Sequence, residues 1–269
     1  MPVRVLIRGG GDLASGVALR LYRSGFHILI TELPQPQVVR RLVSFAEAVY
    51  QGSFPVEGVL ARYAEDLHAA LNISFNDEIP VLVDPEASVR QVYQPAVIVD
   101  ARLTKRFTEP NLDTAPLVIG LGPGFVAGAN CHAAIETNRG HFLGRVIWEG
   151  SPEVDTGIPD TVAGHREDRV LRAPVSGVFH AHADIGNLLE AGKLIASVDD
   201  HEIRAPFRGV LRGLLHSGLA VRAGLKVGDL DPRNDPRYCT LVSDKSLAVG
   251  GGVLEAILSR PEMRLRICR

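Results

Sequence analysis

Two glycine-rich stretches carry the residue types best suited to binding an anionic ligand. The first, RGGGDLASG, contains Gly9 and Gly11, and with Ala14 these fit the spacing G-x-G-x-x-A after an apolar run. Glycines at this spacing let the main chain approach a pyrophosphate, and the amides of the following helix point at the anion. The motif therefore predicts a nucleotide-binding turn, with a turn that binds no ligand as the alternative.

Two acidic residues bear on this interpretation. Glu32 ends the second apolar run, where an acidic residue of a dinucleotide site meets a ribose hydroxyl. Asp12 argues the other way, because a carboxylate beside the turn repels a pyrophosphate unless it points away or binds a metal. Its simpler role is to cap the helix that follows.

The second stretch, VIGLGPGFVAGANCHAAIETNRGH, again follows an apolar run and leads into a segment that we predict to be helical. If both loops lie at the carboxyl ends of parallel strands, they face one crevice, where ligands of such sheets bind. Alternatively the glycines only reverse the chain, and His132 lies on a helix face. Cys131 is a candidate sulfur or selenium acceptor, since a thiolate near a helix start is stabilised, with a buried structural cysteine as the alternative. The predicted cofactor-binding residues are Gly9, Gly10, Gly11, Asp12, Glu32, Gly120, Gly122 and Gly124.

A weaker candidate follows the strand that ends at Asp100. Lys105 and Arg106 stand just behind it, which suits an acid with a phosphate-binding pair or an ordinary solvated loop.

Histidines and charged residues in the second part of the chain are weaker still. His180, His182 and Asp184 share one face of an extended segment, as metal ligands do, or are surface residues. The others are turn formers and ion-pair partners unless some reach the site: Asp229, Asp231, Arg233, Asp244 and Lys245. Hydrolase, zinc-protease and Walker patterns are absent from the sequence, which names no catalytic base.

The elements that must position these residues change type along the chain. Up to about residue 150, short apolar runs alternate with amphipathic stretches, which predicts a Rossmann-like, mostly parallel sheet covered by helices. The predicted strands are VRVLI, FHILIT, IPVLVD, AVIVDA, PLVIGLG and GRVIWEG. The predicted helices cover residues 15–24, 36–48, 57–71 and 129–138.

The second part of the chain repeats itself. APVSGVF at Ala173 returns as APFRGVL at Ala205, and three glycines recur at the same 32-residue interval. This register resembles the two halves of a biotinyl/lipoyl-like barrel-sandwich hybrid, whose carriers present a modifiable lysine between the halves. Because IASVDDHEIRAP holds no lysine there, we predict a scaffold or docking module that carries neither biotin nor lipoyl.

The sequence thus predicts an α/β protein of three segments. Residues 1–165 form a Rossmann-like nucleotide- or cofactor-binding domain, and residues 166–240 form the barrel-sandwich hybrid domain. Residues 241–269 pack back on the first domain as a short strand, a glycine turn and a helix halted by Pro261.

Composition limits the partners and the compartment. The chain has 269 residues, of which 46% are hydrophobic, and a net charge of −2, which gives no electrostatic footprint for nucleic acid or a membrane surface. No apolar run approaches the roughly 20 residues of a bilayer span, and the N-terminus starts on a strand pattern, so we expect a cytoplasmic protein. The three cysteines are far apart and argue against a disulfide framework. The oligomeric state, including a homo-oligomer, stays open.

The order of these motifs resembles the YqeB-type accessory family of the selenium-dependent molybdenum hydroxylase system. The resemblance rests on RGGGDLASG, VIVDARLTKR, the long GLGPGF…HAAIETNRGH block, GLKVGDLDPR and SDKSLAVGGGVLEAIL, and it runs over nearly the whole chain. It implies a cytoplasmic protein that helps mature molybdenum hydroxylases or supply their cofactor, with the hydroxylase or other maturation factors as partners. It implies no defined reaction.

Three functions follow as hypotheses. In the first, the glycine loops bind a molybdopterin cytosine dinucleotide or a nucleotide relative, while the barrel-like domain docks a partner or shields the site. In the second, the protein is an NAD(P)-dependent oxidoreductase in which Glu32 reads the ribose and one of Asp100, Lys105 or His132 handles a proton. In the third, it is a ligand-free scaffold or docking protein.

Overall fold

The chain divides into two compact units that do not follow the linear order of the sequence. The computed structural model describes residues 3–104, 112–155, 157 and 161–267. The first unit comprises Met1–Pro36, Phe45–Asp155 and Val242–Arg269, and the second comprises Gln37–Ser44 and Thr156–Leu241. A short piece of the first half of the chain thus belongs to the second unit.

A nine-stranded mixed sheet forms the centre of the first unit. Its strands are β1 Arg4–Arg8, β2 His27–Glu32, β3 Ser53–Val56, β4 Val59–Ala64, β5 Ile79–Val83, β6 Val97–Asp100, β7 Leu117–Leu121, β8 Ala133–Ile135 and β9 Val146–Ile147. They lie in the order β3-β4-β5-β2-β1-β6-β7-β8-β9. The pairs from β4 to β8 are parallel, whereas the outer pairs β3–β4 and β8–β9 are antiparallel.

Helices cover this sheet on both faces. In the first unit they are α1 Asp12–Arg23, α2 Ala48–Gln51, α3 Leu67–Phe75, α4 Arg90–Tyr93, α6 Asp244–Leu258 and α7 Pro261–Ile267. Leu6, Leu29 and Ile98 face one side and pack in a cluster with Ala70 and Ile73 of α3. Helices α1 and α6 pack against each other, so that the last part of the chain lies on the first helix.

The close packing of α1 and α6 depends on glycines inside the helices. A Cβ at Gly16 would lie 2.6 Å from Cβ of Ser246, and one at Gly250 would lie 2.8 Å from the carbonyl oxygen of Gly16. The predicted strand and glycine turn in SDKSLAVGGG were therefore wrong. These glycines do not break the helix, because tertiary packing of main chain on main chain outweighs their low helix propensity.

The six predicted strands are all present, but three of the predicted helices were wrong. Residues 57–71 contain β4 and only the start of α3, and residues 129–138 contain β8. Residues 36–48 contain two 3₁₀ turns, Arg41–Val43 and Phe45–Glu47, before α2. Strand β8 is buried throughout, so its apolar run does not alternate and is easily taken for a helix.

The second unit consists of two four-stranded antiparallel sheets and one short helix. Its strands are β10 Val170–Arg172, β11 Gly177–Ala181, β12 Leu188–Leu189, β13 Leu194–Val198, β14 His201–Arg204, β15 Gly209–Leu214, β16 Ala220–Val221 and β17 Lys226–Asp231, and its helix is α5 Arg237–Thr240. The sheets have the orders β10-β17-β15-β12 and β14-β13-β11-β16. Each sheet therefore takes strands from both copies of the sequence repeat, and their inner faces meet around Phe179, Leu211 and Val227.

The predicted fold class needs correction in both units. The first sheet is mixed rather than a Rossmann-like succession of strand and helix, and the connection 122–132, described throughout, contains no α-helix. In the second unit the repeat located turns, since Gly186, Gly192, Gly218 and Gly224 all have positive φ. Turn positions do not specify how the strands between them pair, so the repeat did not justify a biotinyl/lipoyl-like barrel-sandwich hybrid.

Among the helices in the described part of the chain, none has both the length and the apolar character needed to cross a membrane.

Candidate functional site

The carboxyl ends of the central strands bring charged residues to one edge of the first unit. In the strand register Arg8 of β1 lies beside Asp100 of β6, and Asp100 lies beside Gly120 of β7. The chain runs from β1 outward to β5 and then returns to place β6 on the other side of β1. Ligands of open α/β sheets bind at such a switch point, outside the carboxyl ends of the strands.

Arg8, Asp100 and Arg102 form a group at this switch point that we name the first cluster. The carboxylate of Asp100 is 1% exposed and accepts hydrogen bonds from Nε of Arg102 at 3.0 Å and Nη2 at 2.6 Å. Nη1 of Arg8 lies 3.7 Å from the same carboxylate, and Nη2 of Arg8 donates to the carbonyl oxygen of Pro85. Two guanidinium groups therefore share one buried aspartate.

The first cluster carries a net formal charge of +1, from two arginines and one aspartate. Burial, followed by the neighbouring charge of Arg102, lowers the pKa of Arg8 below its ordinary value. An arginine stays protonated at neutral pH even so. The cluster is consequently a fixed positive centre at the edge of the sheet, and the side chain of Arg102 is 26% exposed.

Sequence reasoning found Asp100 but missed both arginines. Arg8 is a charged residue at the end of an otherwise apolar strand, and Arg102 follows Asp100 by two positions. A charged residue at the end of a buried strand could have indicated Arg8, and the acid that ends β6 could have drawn attention to Arg102 beside it. Lys105 and Arg106, which were proposed instead, lie outside the described residues.

The first glycine turn lies beside this cluster. Gly9 has φ +93° and donates its N–H to the carbonyl oxygen of Thr31 at 2.7 Å. A Cβ at Gly9 would lie 3.4 Å from the carbonyl oxygen of Ala101, so the turn packs on the chain that follows β6. Only a glycine adopts this conformation without strain.

The amide of Gly10 is bound within the protein. Its N–H donates to Oε2 of Glu32 at 2.6 Å, and Oε1 of Glu32 accepts the N–H of Leu33 at 2.7 Å. Burial raises the pKa of Glu32, and the two main-chain hydrogen bonds oppose that rise. Both oxygens of Glu32 thus accept main-chain amides, and the one that binds Gly10 holds the turn rather than extending towards a ribose.

The segment Phe45–Glu47 covers the same turn. The N–H of Ala46 donates to the carbonyl oxygen of Gly10 at 2.9 Å, and a Cβ at Gly10 would lie 2.9 Å from that nitrogen. The hydroxyl of Ser15 accepts the N–H of Phe45 at 2.8 Å and donates to the carbonyl oxygen of Gly10. Phe45 is fully buried, so the covering segment is part of the core.

The start of helix α1 differs from the prediction in one respect. Gly11 occupies the N-cap position and has no side chain to cap the helix, and Asp12 is the first helical residue. Oδ1 of Asp12 accepts the hydroxyl proton of Ser246 at 2.7 Å. Asp12 therefore ties α1 to α6 instead of capping its own helix.

The second glycine turn is filled by side chains. A Cβ at Gly120 would collide with the ring of Phe125, and one at Gly122 would collide with the hydroxyl of Thr137. Nδ2 of Asn130 donates to the carbonyl oxygen of Gly124 at 3.0 Å, while Oδ1 of Asn130 accepts the N–H of Val126. Gly120 and Gly122 are thus needed for packing, and Gly124 has φ +102° and accepts a hydrogen bond from Asn130, so that the described residues leave no open cradle at this turn.

Cys131 does not lie at a helix start, because the segment after it is strand β8. Its side chain is fully buried, and burial raises the pKa of the thiol to about 11. A thiol with that pKa stays protonated at neutral pH, which removes the basis of the acceptor hypothesis.

His132 directly precedes β8 and so lies at the amino-terminal ends of the parallel strands, whereas the glycine turns lie at their carboxyl ends. Its ring Nδ1 accepts the main-chain N–H of Val118 at 2.9 Å, and the main-chain N–H of His132 donates to the carbonyl oxygen of Val118. Burial, followed by the charge of Arg260, lowers the pKa of His132. It lines a cleft of about 600 Å³ together with Gln94 and Asp113, separate from the first cluster.

Asp229, Arg169 and Arg212 form the second cluster, which lies within the second unit. Asp229 is fully buried and accepts from Nη1 of Arg169 at 2.7 Å and from Nε of Arg212 at 2.9 Å. Asp231 adjoins it and binds Arg233 at 2.6 Å. These residues are ion-pair partners within one sheet.

The remaining candidates do not assemble a metal site. Nε2 of His182 lies 3.0 Å from the hydroxyl of Ser197, and His180 is exposed. Asp244 pairs with Arg139 at 2.6 Å. Within the described ranges, no group of three or more histidine, cysteine, aspartate or glutamate side chains could hold a metal ion.

Comparison with known proteins relates the chain to a protein of undefined activity. No protein family model matches it. It is 49% identical over 254 residues to the uncharacterized protein YqeB of Escherichia coli (strain K12), covering 94% of this chain and 47% of that protein. The chain is a homologue of YqeB. It spans about half the length of this curated relative.

Three solved structures show a weaker likeness. An aspartoacylase family protein from Mesorhizobium loti has a TM-score of 0.26 at 13% identity, covering 85% of this chain and 84% of that one. A succinylglutamate desuccinylase from Silicibacter has 0.24 at 13%, with coverage of 85% and 84%. A succinylglutamate desuccinylase/aspartoacylase from Rhodobacter sphaeroides has 0.27 at 16%, with coverage of 87% of both chains. Scores this low carry neither activity nor substrate over to this chain.

The prediction of a barrel-sandwich hybrid was wrong, because the repeat located the turns of the second unit but not the pairing of its strands. What the structure has is a mixed α/β sheet and two four-stranded antiparallel sheets.

Proposed function

We propose that this protein is an accessory protein for the maturation of a molybdenum hydroxylase. Its first unit binds a molybdopterin dinucleotide, or a related nucleotide-type ligand, through an anionic group. The observation that carries the binding is the first cluster, where Arg8 and Arg102 converge on Asp100 at the switch point of the sheet. The accessory role is supported by the resemblance of the sequence motifs.

A phosphate suits the first cluster for electrostatic reasons. Guanidinium groups present planar forks of N–H donors that match phosphate oxygens, and they keep their charge when partly buried. Asp100 holds both guanidinium groups in place before any ligand arrives, which reduces the entropy lost on binding. The proposed ligand group therefore joins Asp100 as a second acceptor of these arginines.

The second candidate function is a scaffold that binds no nucleotide. The observation that favours it is that Ala46 covers Gly10 and Phe125 fills the space above Gly120. The geometry does not favour the NAD(P)-dependent oxidoreductase, because both oxygens of Glu32 already accept main-chain amides. Reading a ribose with Glu32 would break at least one of these bonds.

Native mass spectrometry against molybdopterin cytosine dinucleotide, CTP, NAD and NADP tests the proposal. We expect selective retention of the pterin dinucleotide or CTP by the wild-type protein and loss of retention in Arg102→Ala. The matched control is Arg204→Ala, which removes an arginine from an exposed pair with Glu202 in the second unit. Arg204→Ala should retain the ligand at the wild-type level.

Three other outcomes would refute the binding proposal. Retention that survives in Arg102→Ala would place the ligand elsewhere, and selective retention of NAD or NADP would favour the oxidoreductase. Failure to retain any of the four compounds, together with a stable complex with a molybdenum hydroxylase, would favour the scaffold.

A further inference from the structure

The cleft of about 600 Å³ in the first unit is built from the chain that directly precedes three neighbouring parallel strands, β6, β7 and β8, together with helix α4. Main-chain hydrogen bonds fix these segments to one another. The N–H of Leu117 donates to the carbonyl oxygen of Ala96, and the N–H of His132 donates to that of Val118. Sites for small organic molecules have volumes of roughly 300–1,000 Å³, so the cleft is large enough to hold one.

His132 supplies an uncharged hydrogen-bond donor to this cleft. Because its ring Nδ1 accepts the main-chain N–H of Val118, the proton of the neutral ring is on Nε2. Burial and the charge of Arg260 lower the pKa of His132, so the ring is neutral at pH 7. Nε2 makes no hydrogen bond to another described residue, and its N–H is therefore available to a ligand.

Two glutamines of the α4 region add amide groups. Gln91 lies in α4, and Gln94 ends this helix in the left-handed conformation, with φ +49°. That conformation usually belongs to glycine or asparagine, so its cost is retained here for a side chain that lines the cleft. Within the described part of the chain, neither side-chain amide is hydrogen-bonded.

The charged residues that line the cleft balance each other. Arg90 and Asp113 carry opposite charges, and Nη1 of Arg90 already donates to two main-chain carbonyl oxygens of the turn before α4, each at 2.9 Å. Pro95 and Ala115 are buried and give the cleft apolar walls. Such a lining suits a molecule that has no net charge, apolar faces and polar edges.

We infer that this cleft binds an uncharged nitrogen heterocycle of the nucleobase type, which accepts a hydrogen bond from Nε2 of His132 and pairs its polar edge with the amide of Gln94. A glutamine amide both donates and accepts, and it matches the edge of a base for that reason. A free base and the base of a nucleoside share this chemistry. Such a site goes beyond the proposed function, because it is separate from the first cluster and needs no phosphate.

NMR of the histidine side chains in the full chain, labelled with ¹⁵N, tests the site. The probes are cytosine and adenine, each also as its nucleoside, at millimolar concentrations, with acetate as a small anion. A base or nucleoside should shift the Nε2 signal of His132, whereas acetate should not. The chain has nine histidines, so the signal that is missing in His132→Asn identifies His132. A larger shift by the nucleoside than by the free base at equal concentration would assign the site to nucleosides.

Two variants and a matched control measure the contacts by saturation-transfer NMR of the ligand. His132→Asn removes the Nε2 donor but keeps an acceptor for Val118, since Oδ1 of asparagine is as many bonds from Cα as Nδ1 of histidine. Gln94→Asn shortens the amide and tolerates the left-handed conformation. Each should weaken base binding roughly tenfold. The control His201→Asn, at an exposed histidine of the second unit, should bind as the wild type does.

Three results would overturn the heterocycle site. They are the absence of a shift at Nε2 of His132 with all four probes, an equal shift with acetate, and base binding that Arg102→Ala abolishes while His132→Asn and Gln94→Asn keep it. The third would assign the base to the first cluster and would support the proposed ligand site. If His132→Asn fails to fold, the comparison of bases with acetate in the wild type, together with Gln94→Asn, decides the question.

Discussion

The two clusters have the same composition, two arginines on one buried aspartate, but different positions in their units. Asp229 lies within an antiparallel sheet and is bound by Arg169 and Arg212, whose side chains are 10% and 14% exposed. Asp100 lies at the end of a parallel strand, and its partner Arg102 is 26% exposed. The second cluster is enclosed by its own sheet, whereas the first reaches the edge where ligands of open sheets bind.

The difference teaches that an arginine–aspartate group indicates a site only through its position. The second cluster has additional compensation, because Lys226 lies 4.0 Å from Asp229 and Arg212 also approaches Asp231 at 3.3 Å. Burial raises the pKa of Asp229, but Lys226, Arg212 and Arg169 together lower it below the ordinary value. We therefore assign the second cluster to the stability of its unit and keep the first as the proposed ligand site.

The largest expected effect comes from breaking the second cluster. Asp229→Asn leaves two largely buried guanidinium groups without their carboxylate, which should destabilise the second unit by about 3–5 kcal/mol. Hydrogen exchange followed by mass spectrometry should show the loss of protection in peptides from β15 and β17. The control is Asp235→Asn, whose partner Arg237 is 79% exposed, and it should leave the exchange pattern unchanged. Equal exchange in both variants would remove the structural role assigned to the second cluster.

The corresponding change in the first cluster should cost less. Asp100→Asn should destabilise the first unit by about 2 kcal/mol, because water can replace part of what Arg102 loses. The single tryptophan, Trp148, lies in the first unit and reports its unfolding in urea. The control Glu78→Gln removes the partner of Arg62 in a surface pair and should cost about 0–1 kcal/mol. A loss as large as that of Asp229→Asn would show that the first cluster, too, is mainly structural.

Apolar runs located most strands of the sheet in the first unit. They could not predict the features that depend on contacts between residues distant in the sequence. Hydrophobic patterning reports burial, so it detected β1, β2 and β5 to β7 and misread the fully buried β8. It could not show that Gly250 lies inside a helix, because a glycine is required there by the close contact of that helix with the main chain of Gly16. Helix propensity is a local property, and this packing is not.

The candidate site was only partly predictable for the same reason. The spacing of Gly9, Gly11 and Glu32 drew attention to the ends of the strands where the first cluster lies. It could not indicate that Glu32 binds the turn itself, nor that Ala46 covers it, because an internal hydrogen bond and a ligand contact require the same residue types. The arginines of the first cluster come together only through the strand register.

The smallest expected effect is on the pH dependence of stability. Its sign should differ between Glu32 and Asp231, the acidic neighbours of the first and second clusters. Burial raises the pKa of Glu32 above 4.5, so its contribution to stability is present below pH 4.5 and is lost as the pH rises through the folded-state value. Burial also favours a higher pKa for Asp231, but hydrogen bonds from Arg233 and the charge of Arg212 lower it below 3.8. Its contribution is therefore present above pH 3.8 and is lost as the pH falls through the folded-state value.

Glu32→Gln should accordingly gain stability relative to the wild type as the pH rises, whereas the cost of Asp231→Asn should grow over the same range. Urea unfolding followed by Trp148 fluorescence measures the first variant, and hydrogen exchange in β17 measures the second, between about pH 3 and 7. Opposite slopes would show that burial dominates the pKa of Glu32, whereas charged partners dominate that of Asp231. If both slopes had the same sign, Glu32 would be an ordinary paired acid like Asp231, and the contrast between a binding edge and a structural sheet would lose its electrostatic basis.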